Sequence, residues 1–565
     1  MPDSIELRGV SAGVRGALGR IVVWRHGGDL GADLPRPVDQ DARDAARQTL
    51  LAAMAAVAGQ YAELAEQQQD GELKDVLVAT AEIADDPSVI EAAQTHIEQG
   101  ESVTAAVREA FAEVAEQFQA LGGYMAERVS DLNGVRDRVL AQLLGVGMAG
   151  AELVEDSIIV AEDLTPADTA VLDVRKVRAL VTELGGPTAH TAIIARQWGL
   201  ACVVQAEGAT RLPEGAPALV DGRAGIVMTH PSEQDAERIR RRNDLLDSLD
   251  ADTDPAATAD GTPVTLLANI GGLADAQEAS GHACDGVGLF RTEVLFLSAR
   301  TAPTKQEQAD VYRRVLRAQA GRRVVFRTLD SGADKPLAFA NVDHEDNPAL
   351  GVRGYRLVRT MPELLATQLE AIAEASADVP EAEAWVMAPM IATPDEARDF
   401  ARMARAAGNT TVGAMVEVPS AAIQADQVLA ELDFVSIGTN DLAQYTMGTD
   451  RLLGALADLI DPWQPAVLTL ISSTVRAGQA QGKPVGVCGE SASNPLMALV
   501  LIGLGVTSLS MSSASLSAVR FALRHTDLAT CRAMAQAAVT ARDPAAARSA
   551  VLALAGDELR FLVGG

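Results

Sequence analysis

The chain has 565 residues, 48% of them hydrophobic and only 3% aromatic, and its 77 acidic against 47 basic residues give a net charge of −30. That length exceeds what one core organises, so two to four domains are expected. A field this negative disfavours nucleic acid and anionic membrane surfaces as partners, and the longest apolar runs, such as MALVLIGLGV, are too short and glycine-broken to span a bilayer.

The N-terminal MPDSIELRGVSAG lacks the basic-then-apolar order of a signal peptide. Cys202, Cys284, Cys488 and Cys531 lie far apart with no metal-finger spacing, which fits the reducing cytoplasm. Residues 4–24 then read as short strands, glycine-punctuated and β-branched. From about Asp39 to Leu144 the texture turns helical, with Leu50, Met54, Val57, Tyr61 and Leu64 forming one apolar stripe. Asp85-Asp86-Pro87 and Gly100 mark helix stops, so a bundle of four or five helices is expected. Strand texture returns in DSIIVAEDL and VRALVTELGG. The N-terminal strands bury too little apolar surface to stand alone. The simplest reading is therefore one α/β domain, residues 1–24 and 145–230, interrupted by a helical insertion over 25–144.

Residues 231–260 read as a charged helical linker, whose short basic run RIRRRN (238–243) sits among acidic residues. From 261 to 565 β and α textures alternate. VTLLANI, GVGLFRTE, VVFRTLD, VMAPM, VGAMVEV, FVSIGTND, VGVCGE and SLSMS are eight strand signals, which fit a (β/α)8 barrel better than an open doubly wound sheet.

The polar residues that close those strands share a chemistry. Arg291 and Glu293, Arg327, Glu417, Asn440 and Asp441, and Cys488 and Glu490 all stand at strand ends, and in a barrel these ends form the reactive rim. A lone arginine there is usually a surface ion pair, and a lone cysteine a small buried hydrophobe; their convergence on one edge argues against the bland reading of the set. Arg291 and Arg327, with Arg451 in GTDR, offer forks for phosphate or carboxylate. Glu417 and Asp441 are hard oxygen donors of the kind that hold Mg²⁺ together with substrate oxygens. Asn440 can donate from its amide, and Cys488 can act as acid or base. The pattern describes a small phosphorylated carboxylic acid held on a metal.

LGGPTAHTAIIARQWGL (184–200) raises a separate question. His190 could be a satisfied structural histidine, a metal ligand, or a nucleophile carrying a phosphoryl group. No acidic or His/Cys cluster stands nearby to favour a metal. Pro187 and Thr188 suit a helix start, which puts the ring in a first turn where free N–H groups favour an added anion. The local sequence favours the nucleophile.

GGPTAHTAIIAR resembles the phosphohistidine signature of the phosphoenolpyruvate-utilising enzymes, and VEVPSAA…DFVSIGTNDLAQYTMGTDR resembles their second signature. VGVCGESASNP and GLFRTEVLF match two further stretches, and the resemblance covers nearly the whole chain, in order. The layout, with a helical block inside the phosphohistidine domain and no room for a large ATP-binding domain, looks like the enzyme I branch, the phosphoenolpyruvate–protein phosphotransferases of bacterial sugar uptake. The resemblance implies phosphoenolpyruvate at the rim with Mg²⁺ on Glu417 and Asp441, and Arg291, Arg327, Asn440 and Arg451 on its phosphate and carboxylate. It further implies His190 as phosphoryl acceptor, Cys488 as proton donor to the enolate, and onward transfer to the carrier protein HPr docked on the insertion. The resemblance also implies a homodimer formed through the barrel domain. Pro187 and Ala189 stand where many members carry arginine and serine. A partner-binding signalling protein and a carbon–carbon lyase on a similar barrel are the competing readings; the lyase needs neither His190 nor the insertion.

Overall fold

The computed structural model describes residues 4–563 apart from 14, 25–30, 68–71, 122–128, 147–152, 154, 171, 187–189, 251, 298, 300, 332–336, 338, 340–344, 346, 451–455 and 457–458. The chain divides into two compact units, Met1–Leu245 and Leu246–Gly564.

The first unit is built on an eight-stranded sheet of β1 (Glu6–Arg8), β2 (Val10–Ser11), β3 (Gly16–Val23), β4 (Ser157–Ala161), β5 (Val177–Thr182), β6 (Ala201–Val204), β7 (Pro217–Asp221) and β8 (Ile226–Thr229). Their order is β1-β8-β7-β3-β4-β5-β6-β2. β3 pairs parallel with β4, Ile21 opposite Ile158, although a run of helices separates them in sequence. The sheet is therefore interrupted rather than followed by the helical block. That block holds the helices Gln40–Gln67, Glu72–Ala84, Pro87–Glu98, Val103–Leu121 and Val129–Leu144. Leu50, Met54, Val57 and Tyr61 bury the stripe seen in the sequence. Asp86 caps the restart after the first break by accepting from Ser88 N at 2.7 Å, which satisfies one of the free N–H groups of the new helix.

The helix His190–Gln197 joins the two parts. Ala192 and Ala195 pack with the sheet's core, whereas Ile194 belongs to the core of the helical block and Trp198 touches both. Spacings of three and four residues on opposite faces give this short helix two apolar sides.

In the second unit β9 (Thr265–Ile270), β10 (Gly286–Arg291), β11 (Arg323–Arg327), β12 (Glu383–Ala388), β13 (Thr411–Val416), β14 (Phe434–Ile437), β15 (Val485–Val487) and β16 (Ser508–Met511) close a barrel, β16 returning to β9. Every pairing is parallel, so all eight C-terminal ends share one rim. Leu289, Val325, Met387, Met415, Phe434 and Cys488 fill the interior, while alternate strand residues meet the surrounding helices. At the opposite end the Arg323 guanidinium stacks 3.8 Å over the Trp385 ring, which lies on Phe434. Such a cation over an aromatic face is attracted by the ring quadrupole.

The helix Glu233–Asp250 carries the basic run, and its arginines are engaged. Arg240 pairs with Glu233 and Glu237, and Arg242 grips buried Asp221 with two bonds of 2.7 and 3.0 Å. No helix among the described residues is long and apolar enough to cross a membrane.

Candidate active site

Strand geometry places the rim residues. Arg291 and Arg327 close β10 and β11, Glu417 follows β13, and Cys488 follows β15. Asn440 and Asp441 lie in the first turn of the helix Thr439–Met447, which starts two residues after β14. Arg451 lies outside the described residues, as do 187–189 and the side chain of His190; the backbone of His190 opens its helix.

Glu417 is wholly buried. Its Oε1 accepts from the backbone N–H of Met390 at 2.6 Å, and its Oε2 has no hydrogen-bond partner among the described residues. Burial, then the neighbouring Asp441 and Asp330, push its pKa up to about 8 against the pull of Arg327 and Arg353, because both effects disfavour the charged form. Gly438 makes room for this carboxylate: a Cβ there would stand 2.8 Å from Oε2.

Two further arginines organise the acids. Arg327 donates to Glu293 Oε1 at 2.5 Å and approaches Asp330 Oδ2 at 3.2 Å. Arg353 grips Asp330 through Nε and Nη2, both at 3.1 Å, and reaches Asp441 Oδ1 from Nη1 at 3.0 Å. Burial opposes the charge on Arg353, yet Asp330 and Asp441 together raise its pKa above that of free arginine. Glu293 Oε1 also accepts from Asp330 N at 3.1 Å. The result is one ion-paired array from Glu293 to Asp441, nearly all of it removed from water. Arg291, by contrast, is exposed.

The remaining rim groups are also held. Asn440 Oδ1 accepts from Glu490 N at 3.2 Å. The amide N–H₂ of Asn440 remains a donor. Cys488 is buried, with its sulfur 3.7 Å from Ile437 O. Burial pushes the thiol up to about 11, which keeps the proton on sulfur at neutral pH.

The donor set suits a hard divalent cation. Glu417 and Asp441 supply carboxylate oxygens, one of them a buried oxygen with no protein donor among the described residues. Among the described residues no group of three or more His, Cys, Asp or Glu could hold a metal. Two carboxylates completed by substrate oxygens and water is the coordination Mg²⁺ usually takes.

Strand-end reasoning missed Arg353, Asp330 and Met390. Asp330 was discoverable, three residues beyond the end of β11. Arg353 precedes a 3₁₀ stretch, Gly354–Arg359, far from any strand terminus, and Met390 acts through its backbone, which no residue type announces.

Comparison with known proteins gives consistent results. Three family descriptions match: "PEP-utilising enzyme, N-terminal" over 8–128, "PEP-utilising enzyme, mobile domain" over 153–225, and "PEP-utilising enzyme, PEP-binding domain" over 247–528. A phosphoenolpyruvate-protein phosphotransferase of Streptomyces coelicolor is 47% identical across 86% of this chain and 88% of its own length. One from Haloferax volcanii is 39% identical across 82% and 83%. A multiphosphoryl transfer protein of Rhodobacter capsulatus is 38% identical across 83% of this chain and 58% of its own length.

Proposed function

The chain belongs to the phosphoenolpyruvate-utilising enzymes, and from that premise we propose that it moves the phosphoryl group of phosphoenolpyruvate to its own His190 and then to a histidine of HPr, releasing pyruvate as the first step of phosphotransferase sugar uptake. The observation that carries the reading is Glu417, buried beside Asp441 with Oε2 left open, on a rim that also presents Arg291, Asn440 and Cys488.

Phosphoenolpyruvate binds at this rim. Arg291, Arg327 and Arg451 receive its phosphate and carboxylate, with Asn440 donating its amide to the same oxygens. Glu417 and Asp441 would hold Mg²⁺, which would supply positive charge to offset the charge that develops as the phosphoryl group leaves. A ring nitrogen of His190 attacks phosphorus, the bond from phosphorus to the enol oxygen breaks, and its electron pair leaves on the pyruvate enolate. Cys488 gives its proton to the methylene carbon of that enolate, forming pyruvate, and regains one from water. Reacting atoms must come within about 3–3.5 Å, so His190 has to be delivered to the rim by movement of its domain, with the helical linker at 231–260 as lever.

The remaining assignments belong to the same reading. Residues 1–24 and 145–230 form the phosphohistidine domain, the insertion over 25–144 docks HPr, and 261–565 forms the substrate barrel through which the protein dimerises in the cytoplasm. The test is incubation with radiolabelled phosphoenolpyruvate and Mg²⁺, with and without HPr, for wild type and His190→Ala. Acid-labile label on wild type alone that moves to HPr supports the proposal. Label that stays on the protein favours a signalling role, and no label with turnover of an acid favours a lyase.

A further inference from the structure

Met390 stands at φ 61°. That is a left-handed conformation, in which a bulky L-residue is uncommon. Met390 follows Pro389 two residues after β12 and is buried. Its flanks are anchored on both sides. Pro389 O accepts from Tyr355 N at 3.3 Å, Ala392 N donates to Glu396 at 2.8 Å, and Ala392 O accepts from Ser420 Oγ at 2.8 Å. With both flanks pinned, a change of φ at Met390 must rotate the 389–390 peptide plane. That plane carries the N–H that meets Glu417 Oε1 at 2.6 Å. That distance is short for an N–H donor and an oxygen acceptor. The other oxygen of the same carboxylate is the open one.

We propose that Met390 is a positioning residue for the metal end of the site: its left-handed backbone ties up Oε1 so that Oε2 alone is presented to the cation. Strain stored at one residue is thereby used to fix a ligand, as outer groups around metal sites commonly do. The inference rests on the reading of Glu417 as a metal ligand.

Two measurements test it. The first needs no metal: at about pH 9, above the raised pKa of Glu417, in protein labelled with ¹⁵N-methionine, the Met390 amide proton resonates far downfield and moves upfield in Glu417→Gln. An amide that ignores Glu417→Gln overturns the proposal, and no Met390 variant has to fold for this result. The second is Mn²⁺ binding in the presence of oxalate, followed by electron paramagnetic resonance, in Met390→Gly, Met390→Asn and Met390→Val. Glycine and asparagine accept positive φ, so both retain affinity within a few-fold. Valine does not, and its affinity drops by roughly 10–100-fold. A role confined to side-chain packing gives the reverse order, with valine retained and glycine and asparagine lost, and that order overturns the proposal. Equal Mn²⁺ affinity in wild type and Glu417→Gln rejects the metal reading instead, and with it the metal-positioning role, whatever the amide shift.

Discussion

Arg353 Nη1 lies 3.0 Å from Asp441 Oδ1 while the rest of the same guanidinium holds Asp330 by two bonds. One cation thus ties the connection after β11 to the helix that follows β14, and it fixes the orientation of a proposed metal ligand. Replacing it by methionine takes a counter-charge from buried Asp441 and leaves Asp330 with Arg327, which costs on the order of 3–5 kcal/mol. Lysine keeps the charge but cannot bridge both acids with a fork. Arg353→Met is expected to lower the melting temperature sharply, whereas Arg353→Lys retains most stability yet loses roughly 10–100-fold in kcat/KM for phosphoenolpyruvate. Thermal melts and a coupled pyruvate assay check both. Wild-type kinetics in the lysine variant would show that the fork does not orient Asp441.

Cys488 is expected to separate the two halves of the reaction. If the thiol only protonates carbon, Cys488→Ser still exchanges phosphate between phosphoenolpyruvate and HPr but forms pyruvate slowly. Equal loss of both rejects that division. Burial pushes the thiol up to about 11, so the acid form persists through neutral pH. Pyruvate formation should therefore show no fall attributable to Cys488 between about pH 7 and 9, where a free thiol of pKa about 8.5 would lose its proton. A descending limb near 8.5 that disappears in Cys488→Ser would show that burial does not hold the thiol above its ordinary range.

Gly438 tests how tightly Glu417 is held. A methyl group there meets the Met415 methyl and Glu417 Oε2, each at 2.8 Å. The methionine end can swing aside, but the carboxylate is fastened to Met390 N. The backbone at Gly438 has φ −89°, so alanine adds crowding without backbone strain. Gly438→Ala should melt within a few degrees of wild type yet need several-fold more Mg²⁺ for half-maximal turnover. An unchanged Mg²⁺ requirement means that Oε2 does not take the metal.

The barrel was legible because its strands are short apolar runs closed by polar residues, and each such run marks the rim directly. Arg291, Glu417 and Cys488 are visible for that reason alone. The partnerships were not legible. Arg327 reads as an open fork, but folding brings Glu293 and Asp330 onto it, and Arg353 arrives from a connection with no strand periodicity. The interruption of the first sheet was inferable because β3 needs a partner, and β4 supplies it. The conformation of Met390 was beyond reach, since methionine does not encode positive φ.

The ion pair of Asp221 and Arg242 makes stability depend on pH. Asp221 is fully buried on β7, and Arg242 on the helix Glu233–Asp250 donates to both its oxygens. The same helix packs Ile239 where a side chain on Gly16 would stand, and Asn243 exchanges hydrogen bonds with the backbone of Gly16. Burial alone would raise the pKa of Asp221; the Arg242 bonds and charge override it and hold the carboxyl below its ordinary range. A depressed folded pKa contributes stability that is complete above the unfolded value and lost as pH falls through the folded one. Asp221→Asn leaves Arg242 buried without its counter-charge, a cost of about 3–5 kcal/mol at pH 7. The gap between wild type and Asp221→Asn should therefore be flat from pH 7 to about 5 and narrow below about 4, as the wild type protonates. Urea titrations of the first unit's transition at pH 7, 5 and about 3.5 measure this across the ordinary carboxylate range. A gap independent of pH would mean that the carboxylate's charge contributes nothing to holding this helix on the sheet.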